Sequence, residues 1–70
     1  MAVAWSEVQG FIETAYQQNG IIERADVVDL AYDANANDDV IDAIDVIGSR
    51  VFNSVEDAHR FLSSQNAVTD

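Results

Sequence analysis

The chain has 70 residues, with thirteen acids against three arginines, no lysine, no cysteine and no proline, for a formal net charge of −10. So short a chain holds one domain, residues 1–70, and buries only roughly 60% of the surface its unfolded form exposes. The missing cysteines exclude disulfides and thiolate metal sites, and the acidity argues against direct contact with nucleic acid phosphates or an anionic membrane.

In chain order, residues 1–5 read as an N-terminal arm. They carry no basic n-region and no long apolar run, so no targeting segment is expected. A first helix is predicted over 7–18, with Ser6 and Gln9 as a capping box. Val8, Phe11, Ile12, Ala15 and Tyr16 form its apolar face. Gly10 interrupts it at a cost of about 1 kcal/mol in propensity, which close approach of a neighbouring helix would explain. Asn19-Gly20 is a left-handed stop. Ile21-Ile22 then reads as a short extended segment.

A second helix is predicted over 24–35, with Val27, Leu30, Ala31 and Ala34 on one face and Asp26, Asp29 and Asp33 on its back. Asn35-Ala36 makes a corner, and Asn37 caps a third helix that runs to Ile47 and stops at Gly48. Val40, Ala43, Ile44 and Ile47 face inward there, while Asp38, Asp42 and Asp45 share the outer face. Ser49 to Phe52 reads as extended, able to pair residues 51–52 with 21–22. Ser54 caps a fourth helix over 55–63, with Val55, Ala58, Phe61 and Leu62 inward. Residues 64–70 lack periodicity and read as a frayed tail. The expected fold is all-α, four short helices with that minimal two-stranded ribbon.

Several residues in this pattern fall together. Val27-Val28 and Ala31 give an aliphatic pair and a helix alanine, Ala36 follows the turn, and Val40-Ile41-Asp42-Ala43-Ile44 forms a helix core. Arg50, Phe52 and Ser54 precede the last helix. Over residues 22–62 this resembles the short prokaryotic family called domain of unknown function 2795. Gly48 and Val55 stand where that family often has proline, and Asn35 where it often has glycine. The resemblance implies a fold and no activity.

Catalytic and metal chemistry find little support in the residues. Asp33, Asn35 and Asn37 open like a calcium loop, but Asp38 stands where glycine is needed and Ile44 where a bidentate glutamate is needed. His59 has no cysteine or second histidine as co-ligand. Ser54, His59 and an aspartate lack a nucleophile elbow or oxyanion loop. No enzyme, cofactor or metal is therefore expected. The leading expectation is a cytoplasmic protein-interaction module that binds a basic or mixed protein surface. Its candidate contact residues are Asp29, Asp33, Asp42, Asp45, the apolar Val46 and Trp5. A nucleic-acid mimic, presenting carboxylates where phosphates would sit, is the first alternative, and a homo-oligomer built on Trp5 and the first helix is the second. An acidic surface also has a plainer use, keeping a protein dissolved. Packing of Trp5 onto the core is its plainer role.

Overall fold

The apolar stripes become four helices: α1 (Trp5–Asn19), α2 (Arg24–Asp33), α3 (Asp38–Asp45) and α4 (Val55–Ser64). Four two-residue strands join them: β1 (Val3–Ala4), β2 (Ile22–Glu23), β3 (Val51–Phe52) and β4 (Val68–Thr69). The computed structural model describes residues 2–69. Residues 1 and 70, the outer ends of the expected arm and tail, lie outside them. The fold is mostly helical with two small sheets, and so not purely all-α.

Side-chain caps start α3 and α4, whereas the N-caps of α1 and α2, Ala4 and Glu23, offer no side-chain hydrogen bond. α1 starts at Trp5, ahead of the expected Ser6 cap. Ala4 has no side-chain acceptor, and the Glu7 carboxylate instead accepts the Ala4 N–H at 3.0 Å, half of a capping box. α3 and α4 start as expected. Asn37 Oδ1 accepts the Val40 N–H at 3.0 Å, and Ser54 Oγ accepts the Asp57 N–H at 3.1 Å.

The helix ends decide the path of the chain. α1 ends at Gly20, at φ 75°, whose N–H donates to the Tyr16 carbonyl at 2.7 Å. In α2 and α4 an asparagine takes the left-handed position, Asn35 at φ 58° and Asn66 at φ 59°. Asn35 and Ala36 donate to the carbonyls of Tyr32 and Ala31 at 3.0 and 2.9 Å. Asn66 and Ala67 donate to Ser63 and Leu62 at the same two distances. Both are Schellman motifs, which satisfy carbonyls the helix leaves open. α3 stops at Asp45, short of the expected Ile47. Val46, Ile47 and Gly48 each donate three residues back, a tighter winding.

The core draws on every helix. Val8, Ile12 and Ala15 come from α1, Val27 and Ala31 from α2, Val40, Ile41, Ala43 and Ile44 from α3, and Ala58 and Leu62 from α4. Ile22 and Ile47 fill the joints. Leu30 is only partly buried and packs on the rim, and Ala34 is exposed as the C-cap of α2. The face of α2 is therefore rotated from the stripe centred on Leu30 towards Val27 and Ala31.

The expected ribbon forms one residue further on. β2 and β3 pair antiparallel, with Ile22 opposite Phe52 and Glu23 opposite Val51. A second sheet was not expected. β1 and β4 pair in parallel, with Val3 opposite Val68, and the Val3 N–H donates to the Ala67 carbonyl at 3.1 Å. Val3, Ala67 and Val68 are buried. Residues 3–5 are thus no free arm, and residues 64–69 no frayed tail. The turn at Asn66 carries Val68 back onto Val3, a long-range match that leaves no period in the sequence.

Gly10 is exposed, and a Cβ placed there would meet nothing within 4 Å. No helix approaches it, contrary to the expectation from sequence. Gly10→Ala is expected to raise stability by about 0.4–1 kcal/mol, through the helix interior and the unfolded chain alike. The midpoint of urea unfolding measures this, and a lowered midpoint would show that the position is not open.

Candidate interaction site

α3 divides its residues between two environments. Its inner face is core; its outer face carries Asp38, Asp39, Asp42 and Asp45, all exposed. Asn37 directs its side-chain oxygen to the helix start, so the acids behind it sit at the positive end of the dipole. No group of three or more histidine, aspartate or glutamate side chains suited to a metal ion forms among the described residues.

The structure does not bring all of the candidate residues together. Asp42 and Val46 line the same cleft, of about 220 Å³, together with Ala43 and the turn formed by Gln65, Asn66 and Ala67. Ala43 and Ala67 are buried, while Val46 remains 39% exposed. Asp45 is committed elsewhere, its Oδ1 accepting from Arg24 Nη1 at 3.2 Å across to α2. Both side chains are about half exposed, so the pair contributes at most ~1 kcal/mol. Asp29 and Asp33 are exposed on α2. Trp5 is 9% exposed and stacks on His59, ring centroids 3.9 Å apart and 5° from parallel. That is the packing role, and it withdraws Trp5 from any contact surface.

All three arginines are occupied. Arg24 holds Asp45, and Arg60 meets Glu56 at 3.2 Å and Asp57 at 3.9 Å. The Arg50 guanidinium lies 4.7 Å from the centroid of Phe61, which also meets Phe52. Asp29, Asp33, Asp38, Asp39 and Asp42 have no side-chain hydrogen bond or ion pair among the described residues. The α2–α3 pair therefore presents uncompensated negative charge.

Sequence reasoning missed Gln65, Asn66 and Ala67, the far wall of the cleft. The available signal was an asparagine after a polar helix end, where a left-handed residue is common. Tyr32, 63% exposed beside Asp33, was missed as well. Asn66 sets the direction of the far wall. Asn66→Gly is expected to hold or slightly raise the melting temperature, since glycine adopts positive φ freely. Asn66→Val is expected to cost about 1–2 kcal/mol, because a branched Cβ is strained there. Equal melting of the two variants would contradict the left-handed turn.

Comparison with models of known families, with curated proteins and with solved structures gave no match to this chain. The likeness to domain of unknown function 2795 rests on the residue pattern over 22–62 alone.

Proposed function

We propose that this chain is a non-enzymatic protein-interaction module that receives a basic protein surface on the outer faces of α2 and α3. The observation that supports this reading is the set of five exposed carboxylates without a partner: Asp29, Asp33, Asp38, Asp39 and Asp42. Their helices are anchored by buried inner faces, so the charges stand on rigid elements. Such a surface draws a cationic partner by long-range attraction and fixes its orientation on contact. The homo-oligomer reading loses its anchor, because Trp5 is buried. No helix among the described residues is long and apolar enough to cross a membrane. A cytoplasmic setting is part of the same proposal.

Two variants of equal charge test it. Asp33→Asn with Asp42→Asn removes two carboxylates from the α2–α3 surface. Glu7→Gln with Glu13→Gln removes two from α1, neither of them in an ion pair among the described residues, and keeps their acceptor oxygens. Asp38 and Asp39 are kept for the helix start, and Asp45 for Arg24. By calorimetry with a lysine-rich peptide, the first variant is expected to bind roughly three- to tenfold more weakly at low salt. Its salt dependence is expected to flatten, since fewer contacts remain to be screened. The second variant should change by less than about twofold on the same exposed-pair scale. Equal loss in both variants would show diffuse attraction and contradict a defined surface.

A further inference from the structure

We infer that the cleft between α3 and the turn at residues 65–67 holds the side chain of a lysine or arginine from a basic protein segment. This rests on the reading above of the acidic surface as the interaction surface, and names what a cleft beside Asp42 would take. Part of the lining is apolar: Ala43 and Ala67 are buried, and Val46 is 39% exposed. Lysine and arginine lay their methylene stems on such surface while the charged head stays among polar groups. The polar residues lining it are Asp42, Gln65 and Asn66, whose side-chain oxygens are acceptors by type.

The field has the matching sign. The cleft adjoins the C-terminal end of α4, the negative end of its dipole, and the last turn of α4 has no basic residue. The dipole and Asp42 therefore both favour a cation. α3 already shows the pairing, because Asp45 holds the guanidinium of Arg24 whereas Asp42 holds none. A calcium ion would want six to eight oxygen ligands, more than one carboxylate and two amides supply. An amphipathic organic cation uses both the charge and the apolar part of the lining.

The test is an NMR titration of the isotope-labelled full chain with two peptides of equal charge and length. One is oligolysine. The other is an oligomer of diaminobutyrate, whose stem is two methylenes shorter. Shifts are expected to concentrate at Ala43, Val46 and residues 65–67, with oligolysine binding at least about threefold more tightly for the added apolar contact. Asp42→Asn is expected to weaken oligolysine about three- to fivefold, and Asp33→Asn by less than twofold. Val46→Ser should remove the preference for the longer stem. Each variant's melting curve checks that it remains folded, as exposed positions should. Shifts spread along α2 and α3 with no stem preference would overturn the cleft and leave the acidic-surface reading standing. Absence of saturable binding to either peptide would overturn both. Concentration-dependent shifts at the cleft without peptide would assign it to a second copy and overturn the proposal.

Discussion

The pairing of β1 with β4 is the contact on which the rest depends. A chain of this size has little apolar area to bury and, lacking cysteine, no disulfide to supplement it. Val3 and Val68 meet in that sheet, and each contributes about 1.5–3 kcal/mol on full burial. On a total stability of about 5–15 kcal/mol, that is a large share. The same contact brings the start of α1 against α4, where Trp5 and His59 stack.

The α4 Schellman turn makes this closure, and it also makes the proposed site. Asn66 reverses the chain so that Ala67 and Val68 enter the core. The residues at the bend, Gln65 and Asn66, are left facing Asp42 and Val46 across the cleft. Fold and candidate site thus share one local conformation. α3 has a similar double use. Val40, Ile41, Ala43 and Ile44 hold it to the core, which frees the opposite face to carry charges that local repulsion alone would disfavour.

What was legible in the sequence follows from the range of each interaction. Four helices could be read from periodicity, and the Asn37 and Ser54 caps from local chemistry, because both act within one turn. The β2–β3 ribbon was read to within a residue, since Ile21-Ile22 and Val51-Phe52 stand out as apolar pairs, flanked by Gly20 and Glu23 and by Arg50 and Asn53. The β1–β4 sheet was not legible. Two-residue strands have no period, and their match links positions at opposite ends of the described chain. The candidate site was legible in part. The acids of α2 and α3 could be placed on outer faces, but the Arg24–Asp45 pair and the far wall of the cleft depend on tertiary packing. Gly10 was misread because its only argument was helix propensity, which does not say what lies outside the helix.

Amide hydrogen exchange at Val3 tests the account most directly. Its N–H is held by the Ala67 carbonyl at 3.1 Å, so its exchange reports whether β1 and β4 stay closed. If the closure is part of the cooperative fold, Val3 exchanges through the same opening as core amides such as Ile12 and is protected to a comparable degree. Exchange of Val3 at the rate of an unstructured peptide, with Ile12 still protected, would contradict the account. The cleft would then lack a fixed far wall.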